Sequence, residues 1–227
     1  MIISNNKIIA SINDTGPTDG LVAWWTMNGH LKDVSGNGND GVHSGTPLYV
    51  DAIPDGGKGL NFNGTSDAVG CGNNESLNFG ENSFSFFTWL YIVGHNLTDD
   101  RWCFIHKRNG WQGYRMDVRG NVFNIQIGDA VDSGRSVSSI TPLQNNKWYH
   151  AGFIVNKVTG RVYIYLNGIG DGEYSYNEGS VSNSGNLSLG SLYTNVGQFS
   201  GIMDDVRIYN RALSDKEIKL LARSFKQ

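Results

Sequence analysis

The sequence of 227 residues predicts an all-β fold, a two-sheet antiparallel jelly-roll sandwich with a short C-terminal helix. Three observations predict it. Short segments rich in β-branched and aromatic residues recur along the chain and are separated by turn residues. Glycine is frequent, with 30 residues, and proline is rare, with 4, which suits many tight turns. Only one segment, near the C terminus, has helical periodicity with an N-cap.

The chain divides into an arm and one domain. Residues 1–19 hold a β-prone stretch closed by Thr15-Gly16-Pro17, which indicates an arm with a linker. Residues 20–227 are predicted to form a single domain, because all-β sandwiches of this length commonly do. The first strand is predicted at 21–27, and a loop rich in oxygen donors and glycine follows it at 33–41.

The segment from Ser83 to Val93 has the clearest strand pattern. Phe84 and Phe86 alternate with Phe87 and Trp89, so both faces are apolar. We therefore expect this strand to be covered on both sides. Further strands are predicted as an antiparallel meander and a hairpin; their ranges are 102–107, 114–118, 122–127, 147–155 and 160–166.

The segment 199–218 is predicted to be a strand that runs into a helix. A regular strand would place Ile202, Asp204, Val206 and Ile208 on one face. Ser214 and Glu217 have the spacing of a capping box, so we expect the helix to begin at this serine.

Seven segments, in order, resemble the laminin-G-like, concanavalin A-like lectin/glucanase superfamily. They are 21–25, 33–41, 60–69, 84–90, 147–153, 162–168 and 199–218. The resemblance implies a LamG-like jelly roll over most of the chain beyond the arm. The resemblance defines the function less closely than the fold, because this fold occurs in lectins, carbohydrate-binding modules, adhesion domains, hydrolases and structural caps.

The glutamates argue against a hydrolase. Glucanases of this fold carry a Glu-x-Asp-x-x-Glu strand whose outer carboxylates are nucleophile and acid/base. No such segment occurs here, and Glu173 and Glu178, the closest pair, fall in a loop. Cys71 and Cys103 are too few for a disulfide scaffold, so they are either buried free thiols or one bridge. We predict no catalytic residues.

The loop 33–41 and the last strand are a candidate calcium site. Calcium takes six to eight oxygen ligands, and loop glycines let carbonyl groups turn inward. Family resemblance implies that such an ion pins this loop to the final strand, in a stabilising role. The candidate ligands are Asp33, Asn37, Asn39, Asp204 and Asp205. The alternative is that 35–38 is a turn and the aspartates cap backbone amides.

A second group of residues is a candidate glycan platform. Aromatic faces stack on sugar rings, and amides or arginine bind the hydroxyl groups. The candidates are Trp102, His106, Asn109, Trp111, Gln112, Tyr114 and Arg115. Trp111 lies in a predicted turn, where burial is harder, whereas most tryptophans of a sandwich belong to its core. Tyr174, Tyr176 and Tyr193 lie in polar loops and are either a further recognition group or loop filler.

The leading hypothesis is a calcium-stabilised, non-catalytic carbohydrate-binding or adhesion module for a cell-surface glycan. The alternative is a structural or decoration protein of a phage or other assembly, which docks other assembly proteins through the arm; a glycoside hydrolase or lyase ranks third. A net charge of −3 argues against a nucleic-acid partner. The sequence contains no apolar run of about 18 residues, so we predict no membrane insertion. No signal peptide is visible, and we expect an extracellular or virion-surface location.

Overall fold

The computed structural model describes residues 16–52, 57–93, 102–130, 135–176, 179–192 and 197–223. The strands are β1 (Leu21–Trp25), β2 (Val42–Ser44), β3 (Leu48–Asp51), β4 (Lys58–Asn63), β5 (Ala68–Gly70), β6 (Phe84–Ile92), β7 (Trp102–Asn109), β8 (Gln112–Arg119), β9 (Val122–Gly128), β10 (Arg135–Ser138), β11 (Lys147–Asn156), β12 (Arg161–Leu166), β13 (Ile169–Ser175), β14 (Ser188–Leu189) and β15 (Ser200–Tyr209). A 3-10 helix spans Glu75–Leu77, and helix α1 spans Asp215–Arg223.

The strands form two antiparallel sheets, which confirms the predicted sandwich. The eight-stranded sheet has the order β13-β12-β11-β6-β15-β4-β3, and β1 pairs with the second half of β15. The seven-stranded sheet has the order β10-β9-β8-β7-β14-β5-β2. The predicted meander β7-β8-β9 and the predicted hairpin β11-β12 are both present.

Apolar side chains fill the space between the sheets. Phe84 and Phe86 on β6 face Phe104 and Phe123 of the seven-stranded sheet within one core. The outer face of β6 is covered too, because Phe87 packs in a second cluster with residues of β12, the C-terminal segment and α1. The prediction that β6 is buried on both faces is therefore confirmed.

Helix α1 begins as the capping box predicts. The backbone N–H of Ser214 donates to Glu217 Oε2 at 2.8 Å, and the backbone N–H of Glu217 donates to Ser214 Oγ at 3.4 Å. The guanidinium of Arg211 also holds Glu217, with Nη2 and Oε1 2.5 Å apart. These bonds fix the helix that closes the second cluster.

The predicted alternation along β15 is wrong. The register with β6 shifts between Asp204 and Arg207, which marks a β-bulge. Met203, Val206 and Ile208 consequently face the core, and Ile202 does not. The first part of β15 pairs with β4 and the last part pairs with β1, and the bulge lies between the two parts.

The predicted arm falls mostly outside the described residues, which begin at residue 16. The described part contacts the last strand, since Tyr209 Oη donates to the carbonyl of Pro17 at 3.1 Å. Cys71 and Cys103 are both buried and free. None of the helices in the described ranges is long and apolar enough to cross a membrane.

Candidate functional site

Asp33 organises the loop that follows β1. Its Oδ1 accepts hydrogen bonds from the backbone N–H groups of Trp24 and Ser35, both at 2.9 Å. Its Oδ2 accepts one from the backbone N–H of Asn39, also at 2.9 Å. The Asn39 side chain in turn donates to the carbonyl of Val22 at 3.0 Å. These bonds fold the loop back onto β1.

Asp204 and Asp205 occupy the bulge of β15. Asp205 has a φ of 47°, a left-handed conformation that is uncommon for residues other than glycine. Its Oδ1 accepts hydrogen bonds from Trp24 Nε1 at 2.6 Å and from Arg207 Nε at 2.9 Å. Asp204 is buried, and its Oδ1 accepts the backbone N–H of Asp205 at 2.7 Å. Both carboxylates therefore bind protein donors at the bulge.

The structure joins the predicted calcium ligands through Trp24, which binds Asp33 with its backbone and Asp205 with its indole. Asn37 donates its amide to the carbonyl of Val22 at 3.0 Å. Within the ranges that the structure describes, no group of three or more His, Cys, Asp or Glu side chains is arranged to hold a metal. Each of these carboxylates accepts at least one N–H donor of the protein, and calcium binding stays a prediction.

The predicted aromatic platform is divided between the core and the surface. Tyr114 is buried, with its ring centroid 4.9 Å from that of Phe84. Trp102 is half-buried and packs edge-on against Phe199, with centroids 6.2 Å apart. The prediction that Tyr114 and Arg115 share one surface is wrong, because neighbouring residues of a strand point to opposite faces and Tyr114 points inward.

Three predicted residues lie at the tip of the β7-β8 hairpin. Trp111 is 61% exposed, and its ring is the most accessible of the candidate aromatic faces. Asn109 Nδ2 donates to Ser184 Oγ at 2.8 Å, and Gln112 Nε2 donates to the carbonyl of Ser180 at 3.0 Å. These bonds tie the tip to the segment 180–184.

Arg108, which the sequence analysis did not single out, supports this tip from below. Its Nε donates to the carbonyl of Trp111 at 3.1 Å, and its Nη1 donates to Gln126 Oε1 at 2.5 Å. The guanidinium carbon lies 5.6 Å from the centroid of the Trp111 ring. The indole and the guanidinium therefore form one unit on the outer side of the seven-stranded sheet.

Several polar residues on the outer face of this sheet are buried. Arg115 and Asp117 form an ion pair there, with Nε and Oδ2 3.1 Å apart. His106 is also buried, and burial together with the charges of Arg115 and Arg108 lowers the pKa of its imidazole to about 4. His106 is therefore neutral at pH 7, and it is a hydrogen-bonding group without a charge.

A polar cavity of about 460 Å³ opens on the same face. It is lined by Ser44, Ser66, Ala68, Gly70, His106, Arg108, Asn186, Ser188, Ser191, Leu192 and Gln198. Ser188 pairs with both His106 and Gly70, so adjacent strands place these three residues in one row. Of the residues that the sequence predicted for glycan binding, only His106 lines the cavity.

Gln198 supplies an acceptor to this cavity. The residue is 6% exposed, and among the described residues its Oε1 has no hydrogen-bond partner. A buried amide oxygen without a partner costs about 1–3 kcal/mol, and a ligand hydroxyl could recover this energy. Nothing in the sequence indicated that Gln198 belongs to a binding site, because this residue is far from β7 in the chain and matches no motif. Only folding brings it into the cavity wall.

A second groove, of about 420 Å³, lies at the edge of the eight-stranded sheet. Its lining consists of Ile140, Tyr163, Gly170, Gly172, Glu173 and Tyr174. Tyr174 is tied down, because its Oη donates to the carbonyl of Ser138. Tyr176, from the same predicted aromatic group, is buried beneath Lys157, whose Nζ lies 4.4 Å from its ring centroid. Tyr193 lies outside the described residues.

Comparison with known proteins identifies the family. A family model described as the concanavalin A-like lectin/glucanases superfamily matches residues 62–219. The chain belongs to this superfamily. The resemblance deduced from the seven sequence segments is thus confirmed. Comparison with curated proteins gave no match.

Solved structures share the superfamily fold with this chain. The binding domain of Paraclostridial Mosquitocidal Protein 1 superposes with a TM-score of 0.79 at 20% identity, over 91% of this chain and 52% of that one. The binding domain of botulinum neurotoxin DC, solved in complex with SialylT, gives 0.75 at 17% identity, over 92% and 52%. A structure of botulinum neurotoxin type C, a toxin whose cell entry depends on interaction with two ganglioside molecules, superposes with a TM-score of 0.76 at 16% identity. The superposition covers 92% of this chain and 52% of that one.

Identities of 16–20% show the fold alone. This chain also spans about half the length of each of those chains, at 52%.

Proposed function

We propose that this chain is a non-catalytic carbohydrate-binding domain whose site is the polar cavity on the seven-stranded sheet. The observation that carries the proposal is the buried Oε1 of Gln198, an acceptor without a described partner in the cavity wall. Serine hydroxyls, the Asn186 amide and the His106 imidazole complete a lining that can both donate and accept hydrogen bonds. Sugar hydroxyl groups require this mixture.

The size of the cavity also suits a glycan. Small-molecule sites commonly measure about 300–1,000 Å³, and this cavity measures about 460 Å³. Trp111, exposed on the hairpin above Arg108, offers a flat apolar face next to the cavity wall to which Arg108 belongs. We propose that a sugar enters the cavity and that a neighbouring sugar of the chain contacts this indole.

The lining gives no support for glycoside hydrolysis. Two carboxyl groups must flank a scissile glycosidic bond, one as acid and one as base or nucleophile. Among the described lining residues of the cavity there is neither Asp nor Glu. The described Glu75 belongs to the 3-10 helix, Glu173 to β13 and Glu217 to α1, and Glu178 lies outside the described residues.

The structural neighbours support the proposal at the level of fold. One is a binding domain in complex with SialylT, and another is botulinum neurotoxin type C, whose cell entry depends on interaction with two ganglioside molecules. A glycan ligand of this type would place the domain outside the cell or at a cell surface. The alternative of a virion decoration protein depends on the arm 1–19, of which the structure describes only residues 16–19.

Gly70 allows a direct test. A Cβ at Gly70 would meet nothing nearer than the carbonyl of Val42, at 3.8 Å, so Gly70→Phe should fill the cavity without straining the backbone. We expect Gly70→Phe to lower binding on a glycan array by at least about tenfold, equivalent to about 1.4 kcal/mol. The matched variant Gly170→Phe fills the second groove, where a Cβ would lie 4.0 Å from Tyr165.

The two variants separate the candidate surfaces. Loss of binding in Gly70→Phe and not in Gly170→Phe supports the cavity. The opposite result would move the site to the second groove, and an array without any signal for the wild-type chain would remove the carbohydrate-binding proposal. Circular dichroism of each variant checks that the sandwich is intact.

A further inference from the structure

The segment between β14 and β15 contributes an apolar and a polar side chain to the cavity. The backbone N–H of Phe199 donates to the carbonyl of Gly190 at 2.8 Å, so the two ends of this segment are joined. Leu192 lies two positions after one partner of this bond, and Gln198 lies one position before the other. Both residues line the cavity. An apolar part and a polar part of its wall therefore come from the same loop.

Leu192 supplies the apolar part. It is 6% exposed, and it belongs neither to the core between the sheets nor to the second cluster, as the structure describes them. Ala68, on β5, gives the cavity a second aliphatic side chain. Removal of apolar ligand surface from water against these side chains is favourable. The cavity is therefore suited to a ligand that has an apolar group as well as polar ones.

Gln198 requires a hydrogen-bond donor from the ligand. Among the described residues its Oε1 has no partner, and an amide oxygen can only accept. A hydroxyl group would donate to this oxygen but has no apolar part to contact Leu192. A secondary amide that carries a methyl group meets both requirements, because its N–H donates and its methyl group is apolar.

We propose, on the basis of the carbohydrate-binding function proposed above, that the cavity selects a sugar that carries an acetamido group. The N–H of this group donates to Gln198 Oε1, and its methyl group contacts Leu192 and Ala68. Its carbonyl oxygen accepts a hydrogen bond from Ser188 or Asn186, which line the same cavity and carry donors. The ligand class is a glycan that contains an N-acetylhexosamine.

Pairs of sugars that differ in the acetamido group test this inference on the full chain. One pair is chitotriose and cellotriose, and the other is the methyl glycosides of N-acetylgalactosamine and galactose. We expect the acetamido member of at least one pair to bind at least about tenfold more tightly by NMR titration. The methyl glycoside of D-fucose, which has a methyl group but no amide, tests the apolar contact separately.

Variants connect the preference to named residues. The readout is the ratio of the two affinities within a pair, because a loss of folded protein lowers both affinities equally. Gln198→Met removes the acceptor, and Leu192→Ala removes the apolar contact. Each should lower the ratio by at least about threefold.

Two matched variants are the controls. Gln144→Met changes an exposed glutamine between β10 and β11, and Leu48→Ala changes an exposed leucine of β3. Neither residue lines the cavity, so neither variant should change the ratio. Circular dichroism of all four variants checks that the sandwich is intact.

The outcomes distinguish this inference from the proposed function. Equal binding within both pairs would overturn the selection of an acetamido group and leave the carbohydrate-binding domain intact. A preference that is unchanged in Gln198→Met or in Leu192→Ala would also overturn it, because the group would then be recognised elsewhere. If the D-fucoside gains as much over the galactoside as the acetamido sugar does, the amide assignment is wrong. If no glycan binds, both proposals are wrong.

Discussion

Trp24 and Asp205 are 181 positions apart in the chain and are joined by a 2.6 Å hydrogen bond from the indole Nε1 to Oδ1. The same tryptophan donates its backbone N–H to Asp33, so one residue links the first strand, the loop 33–41 and the bulge of β15. The guanidinium of Arg207 lies 4.0 Å from the centroid of the Trp24 ring and also binds Asp205. These contacts hold the first strand of the described domain against its last strand.

Removing the negative charge of Asp205 should destabilise the fold. Asp205→Asn keeps an acceptor for Trp24 but leaves Arg207, which is 4% exposed, without this counter-ion. A buried charge that loses its partner costs about 3 kcal/mol, measurable by urea unfolding. Asp51→Asn disrupts the exposed Asp51–Lys58 pair and should leave the midpoint unchanged. A similar small effect in both variants would contradict a structural role for the Arg207 pair.

Calcium removal tests the metal site predicted from the sequence. If an ion joins Asp33 to Asp204 or Asp205, millimolar calcium should raise the melting temperature relative to chelator, and Asp33→Asn should abolish the difference. A melting temperature that is indifferent to calcium would assign the order of this loop to its hydrogen bonds with Trp24, Ser35 and Asn39 alone.

Acid should destabilise the protein through His150. Burial, with the nearby charge of Arg207, lowers the pKa of this imidazole to about 3, below its ordinary value of 6.5. The folded state therefore binds the proton less well than the unfolded state, and stability that is complete above pH 6.5 falls as the pH approaches 3. His150→Phe retains a ring beside Phe87 and should flatten this dependence in urea unfolding at several pH values. An unchanged pH dependence would exclude His150 as its source.

The capping box should have its own acid dependence. The hydrogen bond from Arg211 lowers the pKa of Glu217 to about 2, so its contribution is present above about pH 4.5 and is lost as the pH falls through 2. Glu217→Gln should cost about 1 kcal/mol at pH 7 and progressively less in acid, as thermal melts would show. Lys216→Ala, at the preceding exposed position, provides the control.

The two hairpin tryptophans should respond differently to truncation. Trp111→Ala removes an exposed ring, and we expect a loss of less than about 1 kcal/mol in stability together with weaker glycan binding. Trp102→Ala removes a ring that packs on Phe199 and should cost about 2–3 kcal/mol. Glycan binding that is unaffected in Trp111→Ala would exclude its indole from the site.

The elements predicted best are those whose signal is local. The alternation in β6 identified both of its buried faces, and the spacing of Ser214 and Glu217 located the start of α1. The sequence did not reveal the bulge at Asp205, because a register shift depends on which strands flank β15. One inserted residue reversed the predicted faces of Ile202 and Met203.

The candidate site was less accessible to prediction. Trp111 was placed correctly in a turn, whereas Tyr114 proved to be a core residue because its strand turns that position inward. Gln198 enters the cavity from a loop, opposite residues of β7 that lie more than 80 positions earlier in the chain. No spacing in the sequence relates these residues, since their proximity follows from the order of strands in the sheet.

The sequence alone determined the sandwich, its main hairpins, the capped helix and the superfamily, because periodicity and turn residues act over a few positions. Only the tertiary structure decided which polar side chains share a cavity and which carboxylates already have protein donors. The physical reason is that β5, β7 and β14 become neighbours through long-range pairing, so the lining of the cavity arises from segments that are distant in the chain.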